Sequence, residues 1–176
     1  MAKKKNFYKN LNLYAIAKAR IVIGLIFLWA FVDKLVGLGF TTCRNAETNA
    51  IGVLCEKAWL SGGSPTEGFL TRATRGPFAE VFQSMAGNPV VDWLFMLGLL
   101  GIGLGLTLGI ALKLSGYSGA LLVLLMWLAA LPPANNPVLD DHIVYALVLI
   151  YVANTPDQKL SLNRWYSKTP LGRVFK

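Results

Sequence analysis

Two apolar runs constrain this chain more than any other feature. Ile21 to Val32 holds no charged residue, and Pro89 to Leu112 holds only Asp92. At about 1.5 Å of helix per residue, the second run is long enough to cross a hydrocarbon layer of roughly 30 Å. A water-soluble domain typically carries about 25% charged residues. Here the charged share is 15% and the mean hydropathy is +0.51. The pattern is that of an integral membrane protein, and 176 residues fit one domain.

The net charge of +8 would suit a nucleic-acid binder, but its placement argues against that partner. Lys3, Lys4, Lys5, Lys9, Lys18 and Arg20 precede the first run. Lys159, Arg164, Lys168, Arg173 and Lys176 follow the last one, and Lys113 sits in a short connection between two apolar segments. Basic residues gathered on one side follow the positive-inside rule. The partners expected are therefore the lipid bilayer and its anionic headgroups, and not nucleic acid. No small-residue cleavage site follows the first run, so it reads as a span and not as a signal peptide. Arg20 is expected to snorkel to the inner interface.

Four spans are expected, at about 15–40, 89–112, 116–131 and 137–153. The fold class is thus all-α: a four-transmembrane-helix bundle with both termini cytoplasmic. Residues 1–14 form a basic inner segment, 15–156 the membrane domain, and 157–176 a basic inner tail with Trp165 and Tyr166 as interfacial anchors. Residues 41–88 make one long outer loop whose acids and bases balance. Phe78, Val81, Phe82 and Met85 have helical spacing and predict a short helix over 77–85. Asn88-Pro89 and Asn136-Pro137 read as helix starts with an asparagine cap. Lys113 to Ser115 is expected to form a tight inner turn. Gly101, Gly105 and Gly109 form a small-residue ridge along which a neighbouring helix would pack closely.

Polar groups inside this apolar frame are the functional candidates, because an ionised side chain at membrane depth is costly unless paired or watered. The stretch 135–145 brings Asp140, Asp141 and the chain's single histidine, His142, into the fourth span. Asp33-Lys34 interrupts the first span. The four-span arrangement would gather Asp33, Lys34, Asp92, Asn135, Asn136, Asp140, Asp141 and His142 into one outer layer. Asp140, Asp141 and His142 are expected as proton acceptors or ligand contacts, since histidine titrates near neutrality. Lys34 would be their electrostatic partner or an anion contact; alternatively, Asp140 and Asp141 simply favour a helix N-terminus. Trp29, Trp127, Tyr145, Asn136, Asp33 and Asp92 are candidate ligand or quinone contacts; for Trp29, Trp127 and Tyr145, and likewise Phe31, Trp93, Phe95 and Tyr151, the alternative is a core or belt role. No H-x-x-x-H or C-x-x-C spacing specifies a metal, and none is expected. Cys43 and Cys55 form an even pair in the outer loop, which favours a disulfide; a redox-active pair is the alternative.

The span Arg20-x-x-x-Gly24-x-x-Phe27-x-x-x-x-x-Asp33-Lys34-Leu35 resembles the first helix of the DoxX/DoxD family of small four-helix membrane proteins. Leu108-Gly109-Ile110-Ala111-Leu112 and Asn136-Pro137-Val138-Leu139-Asp140-Asp141-His142 are similar to that family as well, so the resemblance covers about 15–155. It implies a prokaryotic plasma-membrane protein of the DoxD type, a subunit of a thiosulfate:quinone oxidoreductase, or a relative in thiol homeostasis. The expectation is a quinone-linked redox subunit that takes electrons from thiosulfate or a thiol outside. Quinone would be a diffusible co-substrate, with no tightly bound cofactor. An extracytoplasmic or membrane redox subunit and a second copy of the chain are the possible protein partners. A non-enzymatic scaffold docking an outer redox protein, and a small-solute carrier, are the alternatives.

Overall fold

The computed structural model describes residues 2–134, 136–156 and 158–174, with side chains described at all of these except 2–9, 171 and 174. Asn135, Lys176 and the side chains of Lys3, Lys4, Lys5 and Lys9, on which some expectations rest, lie outside that set. The described chain is helical: α1 (Ala2–Val36), α2 (Glu67–Arg72), α3 (Ala79–Gln83), α4 (Pro89–Leu108), α5 (Leu112–Ala129), α6 (Asp141–Asn154), α7 (Asn163–Tyr166) and α8 (Pro170–Val174). Three stretches are long and apolar enough to cross a membrane: Asn10–Val36, Pro89–Leu108 and Leu112–Ala129. With 14 residues, α6 is about 21 Å long, shorter than a hydrocarbon core.

Helices pack in chain order, α1 on α4, α4 on α5 and α5 on α6, with a lighter contact between α1 and α6. One core collects Ile23 and Phe27 of α1, Met96, Leu99, Ile102 and Leu106 of α4, Val123 of α5, and Leu149 and Val152 of α6. The opposite faces are equally apolar and uncovered. Val22, Leu25 and Ile26 of α1, Leu94, Leu97 and Leu104 of α4, and Val144, Leu147 and Ile150 of α6 are all exposed. A soluble monomer rarely shows contiguous apolar patches above a few hundred Å². A surface of this kind belongs in lipid.

Helix ends differ from the sequence expectation for identifiable reasons. The first span stops at Val36, four residues early, because Gly37 turns with φ +74° and the next residues fold back over Asp33. The second stops at Leu108, where Gly109 takes the left-handed conformation with φ +70°. The inner turn is therefore Gly109–Ala111, and Lys113 and Ser115 already belong to α5. The fourth helix begins at Asp141, not near Pro137. Asn136 instead accepts from the Val138 and Leu139 amides, holding a turn, and Asp140 is the cap. The short outer helix is present as α3, after a single 3-10 turn at Gly76–Phe78. Asn88 caps α4 by accepting from the Val90 amide at 2.9 Å.

The expected glycine ridge is also redrawn. Gly101 faces open space and Gly109 ends the helix, while Gly105 does pack closely, against Ser115 at the start of α5. The close α1–α4 crossing is made by Gly24 and Gly103 instead. A Cβ on Gly103 would stand 2.7 Å from Leu28 Cγ, and one on Gly24 would stand 2.7 Å from the Thr107 amide nitrogen.

Candidate functional site

The polar residues of the outer layer resolve into separate arrangements, each built on a different element. Asp33, 1% exposed, is spent on its own loop. Its carboxylate accepts from the amides of Leu38 (3.1 Å), Phe40 (3.1 Å) and Thr41 (2.9 Å) and from the Thr41 hydroxyl (2.6 Å). These bonds satisfy a buried charge and fix the chain as it leaves α1. Asp92, 6% exposed in the first turn of α4, accepts from the Ser64 hydroxyl (2.9 Å) and from the amide (3.2 Å) and hydroxyl of Thr66. It ties the outer loop to α4. Neither acid is in the lining of the two cavities described below.

At the head of α6, Asp140 accepts from the His142 amide at 3.0 Å and meets His142 Nδ1 at 2.7 Å. Asp141 is exposed beside them. Trp127 donates from Nε1 to the Val138 carbonyl at 2.8 Å, pinning the turn that precedes this cap. This cluster is distinct from the surroundings of Lys34, so the structure does not bring Lys34 together with Asp140, Asp141 or His142. Trp29 stacks edge-on with Phe40 at 5.0 Å, and Trp29 and Tyr145 are partly exposed.

Lys34 leads to a different site. It lines a cavity of about 600 Å³ bounded by α4, α5 and the outer loop. From α4 come Val91, Leu94, Phe95, Gly98 and Ile102, and from α5 Ser118, Leu121, Leu122, Leu125, Met126 and Ala129. Both sets recur every three to four residues, which places each on one helix face. Pro65, Thr66, Phe69 and Leu70 close the outer end with Phe82 and Met85. The walls are thus mostly aliphatic, aromatic and thioether, with the hydroxyl residues Thr66 and Ser118, and Lys34 is the one charged residue among them. Its ammonium stands 3.2 Å from Thr41 Oγ1 and 6.0 Å from the Phe95 ring centroid. Since the Thr41 hydroxyl donates to Asp33, Lys34 and Asp33 are linked through it. At Gly98 an added Cβ would meet nothing within 4 Å, so glycine there leaves open volume.

Of the residues proposed from sequence as site members, only Lys34 lines this cavity; Asp33, Asp92, Asn136, Trp29, Trp127, Tyr145 and the Asp140–His142 group do not. Phe95 was already singled out as a ring neighbour, and the Phe82–Met85 stripe as a short helix. The α5 face and Phe69 were missed. From Gly119 onward the α5 sequence is apolar on every side, so periodicity marks no preferred face there.

Arg20 is the second surprise. It does not snorkel outward: it is 0% exposed, buried near the C-terminal end of α4. Its Nη1 donates to the Leu106 carbonyl at 2.6 Å, and Nη2 donates to the carbonyls of Leu160 (2.7 Å) and Lys159 (3.2 Å). The last carbonyls of a helix lack intrahelical partners and carry the negative end of its dipole. Arg20 meets that need for α4 and ties the segment after α6 to α1.

Cys43 and Cys55 are joined in a disulfide with Cα atoms 5.7 Å apart. A pocket of about 370 Å³ lies against it, with Arg44 and Lys57 in its wall.

No protein-family model matches the chain, and no match appears among curated proteins or solved structures.

Proposed function

We propose that the chain is a DoxX-like, four-span membrane subunit whose Lys34 cavity holds the ring of a quinone in a quinone-linked redox system. In this reading α6 is the fourth span, tilting or thinning the bilayer to compensate for its length, and both basic termini face the cytoplasm. The carrying observation is one ammonium in a mostly apolar, aromatic-walled cavity large enough for a substituted ring. Lys34 donates a hydrogen bond to a quinone carbonyl, and Phe95 stacks beside it. Reduction to quinol takes two electrons, which two thiols or two thiosulfate ions supply from the outer side as they couple through sulfur, and two protons, which come from the thiols or, with thiosulfate, from water. Asp140, Asp141 and His142 serve as the head of α6 and do not touch the ring.

The second reading, a non-enzymatic subunit docking an outer redox protein, is favoured by the way Asp33 and Asp92 are committed to holding the outer loop. A loop so anchored is a rigid platform.

The test is quinone binding by protein reconstituted in nanodiscs, read by quenching of intrinsic fluorescence. Gly98→Leu projects a side chain into the cavity from a Cβ that meets nothing within 4 Å, and Lys34→Met removes the hydrogen bond while keeping the stem. Each is expected to weaken binding at least tenfold, about 1.4 kcal/mol. Unchanged affinity in both variants, with intact helical content, overturns the quinone site and leaves the docking subunit.

A further inference from the structure

The outer pocket brings two features together that neither the cavity nor the helix packing uses. Both half-cystines line it, and so do Arg44, Asn45, Thr48 and Lys57. Two cations therefore stand in its wall, while Glu47 and Glu56, neighbours in sequence, are not among the lining residues. The two sulfurs are unequal. Cys43 is 8% exposed, whereas Cys55 is more open. The Lys57 amide donates to Cys55 Sγ at 3.4 Å. A hydrogen-bond donor on sulfur and nearby cations both favour the thiolate form.

We propose that Cys43–Cys55 is a thiol–disulfide exchange site whose cationic pocket selects a small anionic thiol. The thiolate sulfur attacks Cys55 Sγ, the more accessible of the two, and forms a mixed disulfide there. The Cys43–Cys55 bond breaks, and its electron pair stays on Cys43, whose sequence neighbour is the Arg44 cation. A second thiolate attacks the sulfur of the bound substrate, releasing the substrate disulfide and a Cys55 thiolate that accepts from the Lys57 amide. Two thiolates are oxidised to one disulfide, and one protein disulfide is reduced to two thiolates; no other reactant is needed. Clefts lined by one sign of charge raise the encounter rate of the opposite sign by about tenfold or more at low ionic strength.

The experiment uses the full chain in nanodiscs without quinone, so its outcome is independent of the cavity proposal. Mercaptoethanesulfonate, 2-mercaptoethanol and cysteamine are compared at equal thiolate concentration and low salt. Reactions are quenched with acid, and adducts are mapped by mass spectrometry. The expected result is an early adduct on Cys55, with the sulfonate reacting about tenfold faster than cysteamine. That order should shrink toward parity in Lys57→Gln and in Arg44→Gln, and also in high salt. Lys57 is exposed, so its variant keeps the fold and the comparison stands even if Arg44→Gln disturbs the loop. Rates indifferent to thiol charge, a first adduct confined to Cys43, or a disulfide that yields only when the helices unfold would each overturn the proposal.

Discussion

At the residue scale, Arg20 departs furthest from its sequence reading. A cation just before an apolar run has two fates, snorkelling or internal pairing. The choice depends on acceptors 86 to 140 positions away in the chain, which no local pattern displays. Replacing Arg20 with Met would leave the buried Leu106 carbonyl without its donor, at a cost of about 1–3 kcal/mol, while the part-exposed carbonyls of Lys159 and Leu160 turn to water. Arg20→Met is therefore expected to destabilise the protein by roughly 1–3 kcal/mol. Arg20→Lys should rescue little of it, because one ammonium cannot reproduce the planar fork that spans both segments. Denaturation in detergent micelles, followed by circular dichroism, checks both. Lys34 was legible for the opposite reason: a lysine in the outer half of a span is conspicuous whatever surrounds it. Its partner was not legible, because Thr41 reaches it only once the loop after α1 turns back at Gly37.

At the scale of elements, hydropathy located the long helices well and their ends less well. Proline after asparagine read as a helix start at two places, and only Asn88-Pro89 behaves so. At Asn136-Pro137 a turn forms instead, and Asp140 does the capping. From sequence the cap of α6 falls on Asn136; the turn that Asn136 holds with Val138 and Leu139 moves it to Asp140. Asp140→Ala should then loosen the first turn of α6 by about 1 kcal/mol, the usual worth of a cap. Hydrogen exchange should rise at the amides of His142 and Ile143, while Asn136→Ala leaves them unchanged and loosens Val138 and Leu139. Faster exchange at His142 in the asparagine variant would contradict the assignment. The outer loop shows the same limit. Its disulfide was legible from an even count of cysteines, but the pinning of Ser64 and Thr66 by Asp92 was not, since from sequence Asp92 stands as a candidate ligand contact with no partner in the loop.

At the scale of the whole molecule, charge distribution and helix order make one topology testable. Single cysteines placed near residue 12 and near residue 168 of a Cys43→Ser, Cys55→Ser background should label from the same side of sealed vesicles, and one at Glu67 from the other. Labelling of 12 and 168 from opposite sides would mean that α6 does not span, returning the chain to three crossings. The Arg20 contacts also bear on how such a chain is made. Arg20 leaves the ribosome early, yet two of its three acceptors, Lys159 and Leu160, are translated last. Until then a guanidinium waits at the lipid boundary with its cage unfinished, held by water and headgroups. A nascent protein arrested before Lys159 would keep every apolar helix and still carry an unquenched cation beside them. Stopping translation after Gln158 should therefore send the product to membrane proteases and lower its steady-state level severalfold, and pairing that truncation with Arg20→Met should recover part of the loss.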